Sequence, residues 1–230
     1  MLIEGININY LGHSCIKLKN GIVIYIDPYS IYDTEKADLI LITHNHAENL
    51  SLNDIERLAK EDTFIVAPES CRENLMQLKT FAASKENNSN SNKGNVDNIK
   101  YLGHGEQVNL FGLNIIATEA YNVSFEKRFH VRGAGNGYVL ELMKETGNMR
   151  FYFSGHTELV GEIKELLNRV GRIDVAFISV NGTDTMNAED AAYACDIIKP
   201  RYAIPIHFVP NNDEVYRFKE LVNTAKVIVL

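Results

Sequence analysis

The sequence predicts an α+β fold, two mixed β-sheets packed face to face with helices outside, and three observations lead there. Short segments rich in β-branched and aromatic residues open the chain, strand-like and helix-like segments then alternate, and the second half repeats that order. In the first half, "INYLG", "CIKLK" and "IVIYID" are separated by Gly or Asn turns and read as a meander. The continuous apolar run "DLILITH" suits a buried strand. It leads into "LNDIERLAKE", where Leu52, Ile55 and Leu58 recur at helical spacing behind Ser51 as an N-cap. The strand "TFIVAP" and the helical "CRENLMQLK" repeat that order. After the polar stretch, "IKYLG", "VNLFG" and "LNIIATEAY" are strands that continue the same sheet system, and the second half opens with "GYVLELM" and "MRFYFSG", joined by the turn "KETGN". Helical "LVGEIKELLNRV", strand "IDVAFISV", helix "AEDAAYACDIIK", strand "RYAIPIHF", helix "DEVYRFKELVNTA" and closing strand "KVIVL" follow.

At 230 residues and 45% hydrophobic composition, the chain can bury one good core, so residues 1–230 are read as a single domain. The polar stretch at about 82–98, dominated by Asn, Ser and Lys, cannot bury enough surface to fold on its own and is expected to be a flexible insertion. A formal charge of −7 without a basic run argues against nucleic-acid partners. The apolar runs are strand-sized, and the first residues lack a signal-peptide pattern, so a cytoplasmic protein without a membrane partner is expected. Cys15, Cys71 and Cys195 are scattered and form no C-x-x-C, which points to small core residues and away from disulfides or thiolate metal sites.

The chemistry-bearing residues are histidines, and six of the seven fall at or beside the end of an element. His44 and His46 follow "LILIT", His156 follows "RFYFSG", His207 ends "YAIPIH", and His13 lies in the turn "LGHS". Loops at strand ends are where a rigid scaffold holds functional groups. A single histidine there is usually a hydrogen-bonded structural residue, but His44-x-His46 places two imidazoles on one side of an extended turn, where they can share a metal ion. His104, in "GHGEQ", is expected to face solvent, and Thr185 to cap the helix that follows or to border the site.

Taken in order, "YLGHSCIKL", "IDPYS", "THNHAEN", "AYN", "FHVRGAGNGYVL", "SGHTE", "VNGTDTM" and "PIHF" resemble the metallo-β-lactamase superfamily along nearly the whole chain. Within it, the chain is similar to the small stand-alone metal-dependent hydrolases of which ascorbate-6-phosphate lactonase is one. The resemblance implies an αββα sandwich with a metal site at one edge. It implies that His44, His46 and His207 are metal ligands and that His13 and Asp27 line or support the site. The chain departs from the pattern at three positions. Glu48 stands where the family has Asp, Asn49 where it has the last His of T-H-x-H-x-D-H, and His156 where it has the Asp that bridges two metals. Asn122 or His130 stands in for a further family histidine, and Tyr121 is a candidate to face the site.

A carboxylate can give one oxygen to each of two ions, whereas a neutral imidazole offers one nitrogen lone pair. The expected cofactor is therefore one divalent transition metal, zinc first and nickel, iron or manganese as alternatives. His44, His46, His156 and His207 are its expected ligands, with Glu48 either a fifth ligand or the base toward metal-activated water; Glu48 and His156 form the expected catalytic pair. The implied activity is hydrolysis of a small-molecule ester, lactone or phosphoester. The alternative is a catalytically altered relative that holds a metal or small ligand without hydrolysis; a third reading is a structural protein with no ion. A homo-oligomer is compatible with the resemblance.

Overall fold

Strands run in chain order across each of two sheets in a computed structural model that describes residues 1–82, 98–124, 129–143, 147–208 and 213–230. The chain divides into two compact units, Met1–Leu102 and Gly103–Leu230. Most of the expected insertion, residues 83–97, and most of the "KETGN" turn, residues 144–146, lie outside the described residues.

In the first unit, β1 (Leu2–Ile3), β2 (Ile6–Gly12), β3 (Cys15–Asn20) and β4 (Ile22–Ile26) form the expected antiparallel meander. Parallel strands β5 (Leu39–Leu41), β6 (Phe64–Ala67) and β7 (Ile99–Tyr101) continue the sheet. Parallel neighbours require crossovers, and these carry α1 (Leu52–Leu58), a 3-10 turn (Glu69–Cys71), α2 (Arg72–Leu75) and α3 (Lys79–Ala82). Ser51 caps α1, its side chain accepting from the Asp54 amide at 3.3 Å. Tyr25, Ile40, Ile42, Ile65 and Ala67 pack with Ile55, Leu58, Leu75 and Leu78 on the helical side. The intervening Ile24, Ile26, Leu39, Leu41 and Val66 are buried too, which is why these strands read as continuous apolar runs.

The second unit repeats the plan, and "VNLFG" and "LNIIATEAY" belong to its sheet and not to a continuation of the first, because they pair with each other and with the "GYVLELM" strand. Its strands β8 (Gln107–Leu110), β9 (Leu113–Ala120), β10 (Gly135–Leu142) and β11 (Met149–Phe153) are antiparallel; β12 (Val175–Ser179), β13 (Tyr202–Ile206) and β14 (Lys226–Val227) are parallel. Helices α4 (Ile163–Val170), α5 (Ala188–Ile198) and α6 (Asp213–Leu221) connect them, and Ile163, Leu166, Ala191, Cys195 and Phe218 bury against Tyr152, Ala176 and Ile178. Phe153 and Phe177 stack with ring centroids 4.5 Å apart.

Two local expectations fail. Asn187, not Thr185, caps α5, accepting from the Asp190 amide at 2.8 Å. Thr185 is instead drawn into the preceding turn, where its hydroxyl donates to Asn181 Oδ1 at 3.1 Å. His104 is half-buried, because its Nε2 lies 2.8 Å from the Gly135 carbonyl at the start of β10.

The cysteines are buried and unlinked. Burial pushes the Cys71 and Cys195 thiols up to about 12, and raises Cys15 as well, with the Asp27 carboxylate adding to it. Thiolate is the reactive form, so a disulfide-based thiol reagent at pH 8 is expected to label none of the three in the native protein and all three in denaturant. Rapid labelling of the native protein would contradict this burial.

Candidate metal centre

The first unit presents its histidines on the turn that leaves β5. Asn49 and Leu50 both donate backbone N–H to the His46 carbonyl, at 2.9 and 2.8 Å, which closes the turn behind the two rings. The His44 and His46 rings meet edge to face with centroids 4.6 Å apart, and each offers a nitrogen within 4.8 Å of the other's.

What orients His44 is Asp27, at the end of the neighbouring strand β4. Asp27 holds a φ of 45°, a left-handed conformation that Asp tolerates better than most residues. Its carboxylate accepts the Thr43 N–H at 2.8 Å, the Thr43 hydroxyl at 2.6 Å and the Asn49 amide at 2.8 Å. A hydroxyl has one proton, and that of Thr43 is directed to Asp27. The 2.9 Å contact between Thr43 Oγ1 and His44 Nδ1 is then a bond donated by the ring, which leaves the His44 lone pair on Nε2. Asn49 thus serves Asp27 at the position where the resemblance places a histidine. Glu48 is half-buried, with an oxygen 3.9 Å from His13 Nε2, and the His13 ring edges onto Tyr29.

In the second unit, His156 follows β11, Asp184 follows β12 and His207 follows β13, all at the C-terminal ends of parallel or parallel-paired strands. His156 and His207 approach with ring centroids 3.7 Å apart, and His130 meets His156 edge to face at 5.2 Å. His156, Asp184 and His207 each offer a ligand atom, all within 4.8 Å of one another. Asp184 Oδ1 lies 3.5 Å from His207 Nε2. Burial opposes ionisation of Asp184, but the His207 imidazole and the Asn181 amide outweigh it and hold this carboxyl well below the usual carboxylate range.

Asn122 Oδ1 accepts both the His130 backbone N–H, at 2.8 Å, and the ring Nδ1–H, at 3.0 Å, while its amide donates to the Asp184 carbonyl at 2.8 Å. An amide oxygen can only accept, so His130, like His44, carries its lone pair on Nε2. Tyr121 is buried and its hydroxyl donates to the Glu162 carboxylate at 2.9 and 3.1 Å. Burial and that carboxylate push the phenol upward.

Thr157 and Glu158 fix the loops around His156. The Glu158 carboxylate accepts Val123 N–H, Ser124 N–H and the Ser124 hydroxyl, each at 2.7 Å. The Thr157 carbonyl accepts the Met186 N–H at 3.0 Å.

Sequence reasoning did not single out Asp184. The available signal was a carboxylate in the loop after a parallel strand, in "VNGTDTM", which lies where such sheets build sites. The donors fit a first-row dication: imidazole nitrogens with a carboxylate oxygen form a borderline set, and the cysteines that would shift the preference stay in the cores.

Residues 7–207 match the family described as Beta-lactamase superfamily domain, and the chain belongs to the metallo-β-lactamase superfamily. It is 27% identical over 238 residues to a UPF0173 metal-dependent hydrolase of Pyrococcus furiosus, covering 98% of this chain and 96% of that protein. A solved protein of Parabacteroides distasonis, described as a metal-dependent hydrolase, superposes with a TM-score of 0.79 at 28% identity, covering 97% of this chain and 92% of its own. A solved Thermotoga maritima protein, described as a zinc-dependent hydrolase of the metallo-β-lactamase superfamily, gives a TM-score of 0.60 at 18% identity over 96% of both chains; this likeness shows the fold alone. The expected fold class and family therefore both stand.

Gly155 decides whether His156 can be placed. At φ +65°, a Cβ there would lie 2.6 Å from the Asn136 carbonyl oxygen and 3.2 Å from Ala120 Cβ. Gly155→Ala is expected to cost about 3 kcal/mol, from left-handed strain plus overpacking, and to lower Tm by about 6–12 °C. A melt followed by circular dichroism checks it, and an unchanged Tm would refute the close approach.

Proposed function

We propose that the protein is a metal-dependent hydrolase that acts on a small-molecule ester, lactone or phosphoester. The observation that carries this reading is the grouping of His156, Asp184 and His207 within ligand distance of one another on three strand ends. Carrying the superfamily pattern over to this chain, the ligands are His44, His46, His156 and His207, with Glu48 as a fifth ligand or as the base. The Asp27–Thr43 relay supports this, because it leaves Nε2 of His44 ready to donate. Zinc is the expected ion, with nickel, iron or manganese as alternatives, in one copy per chain.

A dication held there would supply Lewis acidity toward a carbonyl or phosphoryl oxygen and lower the pKa of water. The residues do the rest. Glu48 is half-buried and within reach of solvent, so its carboxylate can take a proton from the attacking water and release it to solvent. His13, 3.9 Å from Glu48, can steady that carboxylate or pass the proton on. The partners in this reading are small molecules, with a homo-oligomer compatible and neither nucleic acid nor membrane involved. No described helix is long and apolar enough to cross a membrane. A cytoplasmic location belongs to the same proposal.

The second reading, a relative that binds a metal or small ligand without hydrolysis, is favoured by Asn49. Its amide is bonded to Asp27, so it does not replace the ligand that the superfamily pattern has at that position.

Elemental analysis after dialysis against a mild chelator is expected to find about one first-row metal per chain, and His44→Ala to lose it. Retention of two equivalents would overturn the single-ion reading, and none would overturn the metal site. Turnover of simple phosphodiester, lactone or thioester substrates by the metal-loaded protein separates hydrolase from binder.

A further inference from the structure

We infer that Asp184 is itself a metal ligand, the anionic member of a set with His156 and His207. The inference rests on the metal-site reading above and adds a residue to it.

The first observation is a distance. Asp184 Oδ1 and His207 Nε2 are 3.5 Å apart. A charge-assisted bond between imidazole and carboxylate closes to about 2.7–2.9 Å. Two ligand atoms on one ion behave differently. At metal–nitrogen and metal–oxygen distances of about 2.1 Å and a tetrahedral angle, they stand about 3.4 Å apart, with nothing but the ion between them. The observed spacing matches that second geometry. His156 adds another ligand atom within 4.8 Å of both, so the three converge instead of pairing off.

The second observation is how firmly the Asp184 loop is held. Asn181 Oδ1 accepts the Thr183, Asp184 and Thr185 amides at 2.9, 3.2 and 3.2 Å, which folds the turn tightly. The Asn122 amide grips the Asp184 carbonyl at 2.8 Å, and Met186 N–H ties the far side to Thr157. The Asn181 amide donates to the carboxylate as well, which fixes its rotamer. A carboxylate placed this rigidly beside two imidazoles is preorganised for a cation.

The third is charge. His156 and His207 donate as neutral imidazoles, so without Asp184 the ligand atoms of this unit would bring a dication no negative charge. Asp184 supplies one, and its loop leaves it half-buried, where an ionised group is tolerable before the ion arrives.

Asp184→Asn tests this, because the amide keeps the size and shape of the carboxylate but is neutral and a poor ligand. Zinc affinity is read by competition with a chromophoric chelator, and the visible spectrum is read after loading with cobalt(II). Zinc affinity is expected to fall at least about 100-fold, with a shifted cobalt band. Asp184→Glu is the second variant, should the first not fold: it is expected to bind metal with an altered cobalt spectrum, since the longer side chain moves the oxygen. Wild-type affinity and spectrum in either folded variant would overturn the role of Asp184 and leave the metal-site reading intact. A parent protein that binds neither zinc nor cobalt would overturn both.

Discussion

The Asp27 carboxylate is nearly inaccessible to water, and an ionised group in that position is stable only if donors replace the solvent it has lost. Three do so, the Thr43 N–H, the Thr43 hydroxyl and the Asn49 amide, and together they determine how the chain leaves β5. Thr43 cannot satisfy Asp27 twice without turning its oxygen toward His44, and Asn49 cannot reach it unless the chain folds back over His46. The geometry of the His44-x-His46 turn follows from satisfying one buried charge. The imidazoles are positioned by a network in which the carboxylate itself need not touch an ion, the arrangement by which outer groups set the tautomer and aim of inner ones.

Glu158 solves the same problem in the second unit. It gathers two amides and a hydroxyl from residues 123 and 124, and so anchors the segment that carries Asn122, which in turn fixes His130 and the Asp184 carbonyl. One buried carboxylate thus stands behind the His44–His46 turn and another behind the segments that carry His130 and His156, and the sheets supply the points of departure. This division explains why strand ends are useful sites: the ladder fixes position to within a fraction of an ångström, and the loop still needs its own internal bonds to become rigid.

The same division governs what was legible in the sequence. The strand and helix order could be read because burial on one or both faces imposes a period that survives in the sequence, and the repeated plan of the two halves came from it. Ser51 could be read as a cap because capping is local. The cap of α5 could not be told from the sequence, because Asn181 takes the Thr185 hydroxyl and Asn187, two residues on, caps equally well. That the His44 and His46 rings would lie together could be read from their spacing alone. Asp184 could not be singled out, since Asp in a loop beside Asn and Gly ordinarily marks a turn, and His207 lies just after the next strand, beyond a helix. The tautomers of His44 and His130 were out of reach for the same reason, being set by Asp27, Thr43 and Asn122 through bonds whose existence depends on tertiary placement.

Imidazole at position 156 and carboxylate at position 184 also make physical sense as a pair. His156 is only 2% exposed, and a neutral ring can be buried that deeply at modest cost, whereas an ionised carboxylate in its place would need donors or an ion to replace lost hydration. Asp184, with a side chain 20% exposed, keeps part of its solvation and takes a further bond from Asn181. The neutral group thus sits deep and the charged one shallow, each where its burial costs least. An all-carboxylate arrangement would bind a dication more strongly, but would strain the fold whenever the ion was absent.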